Sequence, residues 1–402
     1  MIDFGPWEAS PPEVRLTLLA ARALVSGADK ETTQELLNRQ SLDWGQFNRL
    51  IRYHELSPSA YIILKEFPAL VSQEELRLLE QQFYCNLLRL SLLQQELIEI
   101  MGNLQARNIT VLPLKGAHFL LDPEPYGDKA YLRPMLDMDI LVKKGDYHEA
   151  QRILESRGYL KELYDRKEEY WRSRSYHLAF RKKSGGRINY MVELHWGLDY
   201  PKNNHLLPQF WERSIKRQRE GGCIYLCSPE DTLLSLALHQ RRFGKMLLLK
   251  NACDVALLLR RYKDALDWDY LLREAKEARM LTVLYFVLFQ AEFLFGPRIP
   301  DAFLKTSGVA GYKRKLIRDF ILEDTFSCRP DLKRLYLKAH FLLYDNFAQP
   351  LRVVLNIPQE QFAKFYGLSP YVFTTVIRYH FRWFYFIKSC VEILHKTSIR
   401  RR

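Results

Sequence analysis

The chain has 402 residues, 48% of them apolar and 27% charged, and carries a formal net charge of +13. That balance excludes a disordered chain, and the lack of any run of about 18 uninterrupted apolar residues excludes an obvious membrane-spanning helix. The length exceeds what one hydrophobic core usually holds, so two or three packed subdomains are expected.

Residues 1–105 read as a helical subdomain. Ser10-Pro11-Pro12-Glu13 has the form of a helix start with prolines in the first turn. Apolar residues then recur at helical spacing through Val14, Leu16, Leu18 and Leu19, through Phe47, Leu50 and Ile51, and along a long segment from Leu76 to Leu104. Pro58 and Pro68 punctuate the pattern, and the region shows no obvious catalytic cluster.

Residues 106–227 change period. Ile109 to Leu114 is a short apolar strand after a turn at Asn108, and Lys115-Gly116 opens a helix containing Phe119 and Leu120. A loop rich in Pro, Gly and Asp leads to a strand from Met138 to Val142, and Gly145-Asp146 starts an amphipathic helix to about Ser156. Tyr176 to Lys182 and Ile188 to Trp196 flank Lys183-Ser184-Gly185-Gly186 as a β-hairpin. The order α, β, α, β, α, β, β predicts an α+β fold: a small mixed sheet with helices on one face, between helical flanks.

Residues 228–402 return to helix. Ser228-Pro229-Glu230-Asp231 combines a serine cap, a proline in the first turn and acids where they favour the helix dipole. Leu233 to Leu238, Leu247 to Leu259 and Phe286 to Phe295 supply buried faces, with another helix starting near Trp268. Residues 370–402 combine seven Lys/Arg with many aromatics against one acid, Glu392. Such a tail suits an anionic membrane surface or nucleic acid, or a terminal helix docked on the core. The net charge likewise suits polyanionic partners, although basic surfaces also serve solubility.

Met1 to Pro6 has neither a basic n-region nor an apolar h-region, which argues against secretion and for a cytoplasmic protein, peripheral at the membrane if the tail binds lipid. Six scattered cysteines fit reduced thiols. Cys223 and Cys227 lack a second Cys/His pair at zinc-ligand spacing and read as hairpin packing residues.

The chemistry gathers in the middle region. Leu132-Arg133-Pro134-Met135-Leu136 leads into Asp137-Met138-Asp139-Ile140-Leu141-Val142. Side chains alternate along a strand, so Asp137 and Asp139 point one way while Met138 and Ile140 point into a core. Two like charges at the end of a buried strand are costly unless a cation sits between them. In Val192-Glu193-Leu194-His195-Trp196, Glu193 and His195 share a face. If that strand lies beside Asp139, three carboxylates converge as hard oxygen ligands for Mg2+ or Mn2+, the requirement of a two-metal phosphoryl-transfer site.

Lys115-Gly116 sits where a strand passes into a helix, a place where glycine admits phosphate to the backbone and helix amides attract it. Arg133 could neutralise phosphate or pin its loop, and His195 could tune a metal shell or fill the core. His239, Arg241, Arg242, Lys245 and Lys250 form a basic cluster that could embrace a triphosphate from across a cleft. For Lys250 the plainer role is an ion pair with Asp254 one turn on.

Leu114-Lys115-Gly116, Leu132 to Met135 with Asp137 to Val142, and Val192 to Trp196 resemble the motifs of the bacterial nucleotidyltransferase-family proteins of the polymerase-beta-like superfamily, a largely uncharacterised family. Leu236-Ala237-Leu238-His239 and Leu249-Lys250 with Asp254-Val255-Ala256 resemble its helical segment, and the likeness covers about residues 30 to 300. The resemblance implies a nucleotidyltransferase fold, an NTP donor, metal ligation by Asp137 and Asp139, and a Glu193 that completes the triad and acts on the attacking hydroxyl. The wider superfamily has Gly-Ser at the first motif. This chain has Lys115-Gly116-Ala117, so the serine is missing and Lys115 could compensate.

The leading expectation is transfer of NMP from an NTP to a hydroxyl of a protein, RNA end, small molecule or polysaccharide precursor, with release of pyrophosphate. A metal-dependent glycosyltransferase with a nucleotide-sugar donor also uses Asp-x-Asp after an apolar strand, but expects a larger sheet before it. A catalytically inactive nucleotide-binding module is the third reading, against which the intact Asp137, Asp139 and Glu193 weigh.

Overall fold

Side-chain caps start some of the helices of the flanking regions in a computed structural model, which describes residues 5–39, 41–163, 167–183, 189–199, 205–219, 222–241, 247–327, 332–346, 348–355, 362–363, 369, 373–384 and 387–388. The first region holds α1 (Pro12–Ser26), α2 (Lys30–Arg39), α3 (Trp44–Tyr53), α4 (Ser57–Leu64) and α5 (Gln73–Gln105). Asp43 accepts from the Gln46 amide to start α3, and Ser72 accepts from the Glu75 amide to start the 33-residue α5.

The central region runs β1 (Val111–Pro113), α6 (Lys115–Leu121), β2 (Met138–Val142), α7 (Tyr147–Ser156), β3 (Leu160–Lys161), α8 (Glu168–Arg174), β4 (His177–Lys183), β5 (Asn189–His195), α9 (Leu207–Glu212), β6 (Ile215–Arg219) and β7 (Gly222–Leu226). Five strands form one sheet in the order β1-β2-β5-β4-β3. It is mixed: β2 pairs with β5 in parallel, while β1–β2, β4–β5 and β3–β4 are antiparallel. Met138, Ile140, Val142, Val192, Leu194, Leu178 and Phe180 fill one face against Leu93, Leu97 and Leu104 of α5 and Leu154 of α7. Alternation therefore sends Asp139, Glu193, His195 and His177 to the other face.

Several elements of the central region depart from the order read in the sequence. β3 is two residues long, too short to show a period. α8 lies between it and the hairpin, and β6 pairs with β7 as a separate two-stranded sheet. In β6, Ile-Lys-Arg-Gln-Arg is largely exposed, so no apolar alternation marks it. Cys223 lies on this hairpin and buried Cys227 just beyond it, and with Cys85 and Cys253 they are free thiols.

Ser228 caps α10 (Pro229–Gln240) by accepting from the Asp231 amide. α11 (Leu249–Tyr262), α12 (Trp268–Glu277) and α13 (Leu281–Phe295) follow, and α13 is buried over most of its length. Helices from both ends of the chain share one core that includes Leu16 and Leu18 of α1, Val255 of α11 and Phe286 of α13. Arg22 donates to the Leu294 carbonyl at 3.3 Å across that junction. Among the described residues no helix is long and apolar enough to cross a membrane.

Candidate active site

The parallel register sets Asp139 opposite Glu193 and Leu141 opposite His195. Asp137 stands one residue before β2. One carboxylate oxygen from each of Asp137, Asp139 and Glu193 lies within 4.8 Å of the other two. On the next strand, His177 is the register partner of His195, and their rings stack at 4.9 Å. His195 Nε2 lies 2.9 Å from Asp139 Oδ1 and 3.4 Å from Glu193 Oε2, so one imidazole edge touches both acids.

Lys115 enters from the β1–α6 junction. Its Nζ donates to Asp139 and lies 3.8 Å from Glu193 Oε2. The backbone aims it there: φ is +50°, a left-handed conformation uncommon for a lysine, and the preceding Leu114 amide donates to the Asp139 carbonyl at 2.9 Å. At Gly116, an added Cβ would lie 2.8 Å from both Arg133 Nη1 and Met135 Sδ. The missing side chain thus makes room for Arg133 and Met135.

Burial, then the charges of Asp139 and Glu193, push the Asp137 carboxyl up to about 6. Burial also works against ionisation of Glu193, but His195, His177 and Lys115 outweigh it and hold this carboxyl well below the usual carboxylate range. The Glu193 Oε2 atom is buried and lies 3.4 Å from His195 Nε2, 3.7 Å from His177 Nε2 and 3.8 Å from Lys115 Nζ. Two adjacent acids are driven in opposite directions by their surroundings.

A helical wall faces the carboxylates across a cavity of about 220 Å³. Lys250 of α11 is buried there and donates to Glu55, which follows α3 with φ +57°. Burial, then Arg133, pulls the Lys250 ammonium below the usual lysine range. Arg133 grips Asp254 with both ends of its fork, Nε to Oδ1 and Nη2 to Oδ2 at 2.8 Å each. Asp254 also accepts from the Tyr126 hydroxyl. The expected Lys250–Asp254 ion pair is therefore replaced by Lys250–Glu55, because the planar guanidinium matches a carboxylate bidentately and takes Asp254.

The cavity brings together Lys115, Gly116, Arg133, Asp137, Asp139, Glu193, His239 and Lys250 with Glu55, Asn251 and Asp254. Arg241 is elsewhere: it pairs with Asp199 and lies over the Tyr344 ring. Arg242 and Lys245 lie outside the described residues. Behind Gly116, Arg133 and Met135 lies a second, largely apolar chamber of about 280 Å³ walled by Leu87, Leu90, Phe119 and Tyr131. Much of residues 370–402 also lies outside the described residues; within it, Phe373–His380 is helical and Phe381, Trp383 and Phe384 are exposed.

An α+β fold that gathers three acids on one face of a small mixed sheet, with a lysine at the first strand-to-helix junction, suits nucleotidyl transfer. Residues 40–296 match the model of a family described as an uncharacterised nucleotidyltransferase, and the chain belongs to that family. Membership gives it a general nucleotidyl-transfer role with an NTP substrate. No curated protein and no solved structure matches the chain.

Proposed function

We propose that the protein transfers a nucleoside monophosphate from an NTP to a hydroxyl of an acceptor, with release of pyrophosphate and with Asp137, Asp139 and Glu193 holding Mg2+ or Mn2+. The carrying observation is the convergence of those three carboxylates within 4.8 Å on one face of the sheet. The donor set fits: three carboxylates, hard oxygen ligands, each bring an oxygen to one point. When bound, the cation would neutralise triphosphate charge and the charge developing on the departing pyrophosphate.

The chain's own groups divide the remaining work. Glu193, kept ionised by its surroundings, takes the proton of the attacking hydroxyl as the acceptor oxygen bonds to the α-phosphorus and the bond from that phosphorus to pyrophosphate breaks. His195 holds Asp139 in orientation through Nε2. Lys250 and His239, on the facing wall, meet the phosphates from the other side. Acceptor selection falls to the helical flanks that close the cleft.

Calorimetric titration of each NTP into the protein with Mg2+ or Mn2+ tests this reading, beside Asp137→Ala. Metal-dependent binding of one NTP, lost in the variant, supports it. Binding of a nucleotide sugar instead would move the reading to glycosyl transfer, and binding of neither would leave an inactive module.

The basic aromatic tail extends the proposal to an anionic membrane surface or nucleic acid. Exposed Phe381, Trp383 and Phe384 beside Arg378, Arg382 and Lys388 support it. Unchanged binding to anionic vesicles and to RNA after removal of residues 370–402 would refute it.

A further inference from the structure

We infer that the Lys115 ammonium permanently fills one of the two cation positions beside Asp139 and Glu193, so that the cluster takes a single divalent ion where two would be expected. The inference rests on the reading of Asp137, Asp139 and Glu193 as metal ligands.

The lysine is built into the site. Its Nζ donates to Asp139 and stands 3.8 Å from Glu193 Oε2, so it bridges two of the three acids. Its side chain is only 9% exposed, which leaves it no solvated alternative nearby. Backbone constraints on both sides fix its origin: Leu114 is bonded to the Asp139 carbonyl, and Gly116 is packed beneath Arg133 and Met135. A left-handed lysine is strained by on the order of 1 kcal/mol, a strain that glycine would avoid, so the fold maintains this direction at a cost.

The other cavity cations have acids of their own: Arg133 pairs with Asp254 and Lys250 with Glu55, whereas Lys115 is set between Asp139 and Glu193. A second divalent ion would press two further positive charges against the Lys115 ammonium inside a buried cavity, where like charges at close range are costly.

The test is to count Mn2+ bound per full-length chain by electron paramagnetic resonance titration, with no nucleotide present. The wild type should bind one ion and Asp137→Ala none. Lys115→Met should bind two, and Lys115→Arg should return to one. Lys115→Gln provides a second neutral variant should the methionine protein fail to fold, and circular dichroism verifies each. Two ions in the wild type, or an unchanged count and affinity in the neutral variants, would overturn the inference while leaving the ligand assignment intact. A wild type that binds no Mn2+, or binding that survives Asp137→Ala, would overturn the assignment itself.

Discussion

Asp139 and Glu193 are register partners across a parallel strand pair, so the ladder of β2 and β5 fixes the separation of their carboxylates. Asp137, outside the ladder, completes the cluster from the loop end. The two aspartates consequently differ in what they do for the fold.

Asp139 neutralises a buried lysine, whereas Asp137 adds to a crowd of like charge. Asp139→Ala is expected to destabilise the protein by about 3 kcal/mol, because it takes from the buried Lys115 its hydrogen-bonded partner and leaves it Glu193 at 3.8 Å. Asp137→Ala should leave the unfolding midpoint unchanged or higher. Denaturant titration of both variants checks this, and equal losses would refute the distinction.

The Arg133–Asp254 pair ties the loop before β2 to α11, with both side chains buried. Arg133→Ala leaves Asp254 with Tyr126 as its hydrogen-bond donor among the described residues and is expected to cost about 3 to 5 kcal/mol. Arg133→Lys should recover less than half of that loss, since an ammonium cannot reproduce the fork. Urea unfolding of the two variants measures the difference.

Gly116→Ala would drive a methyl group into Arg133 and Met135. The guanidinium is held by Asp254 and cannot swing aside cheaply. A loss of about 1 to 3 kcal/mol is expected, as for overpacking elsewhere. A thermal melt indistinguishable from wild type would show that the neighbours can yield.

Two buried histidines predict acid sensitivity. Burial lowers His54 to about 3, partly offset by a hydrogen bond involving the Thr325 backbone, and burial with the Arg133 charge lowers His118 to about 4. Unfolded histidine takes up a proton near pH 6.5, so below that value the unfolded state binds more protons than the folded one. Stability should therefore fall as pH drops from 6.5 toward 4, and be insensitive to these groups above 6.5. Replacing His118 with Gln should flatten the slope of stability against pH between 6.5 and 5, and an unaltered slope would count against its neutral state.

Most of the sheet face was legible because strand alternation needs no tertiary knowledge: once β2 and β5 are strands, Asp139, Glu193 and His195 must face away from Met138 and Leu194. Their adjacency was conditional, since a parallel pairing across 54 residues of chain leaves no local mark. His177 became readable only with the hairpin register that sets it against His195. Glu55 was not legible at all. It sits in a helical region with no catalytic pattern, and its partner Lys250 is 195 positions away. The partner of Asp254 is hidden for a similar reason: one-turn helix spacing offers Lys250, while the geometry that wins belongs to an arginine 121 positions upstream.

Helix α5 places Leu79 in the core shared by the terminal helices and Leu90 to Leu104 in the core beneath the sheet. One uninterrupted 33-residue rod thereby spans both. Opening the cleft by swinging its walls apart would require that rod to bend, with neither proline nor a glycine pair in its middle to serve as a joint. The core behind the wall that carries Lys250 and the core beneath the face that carries Asp139 are thus threaded by one continuous helix.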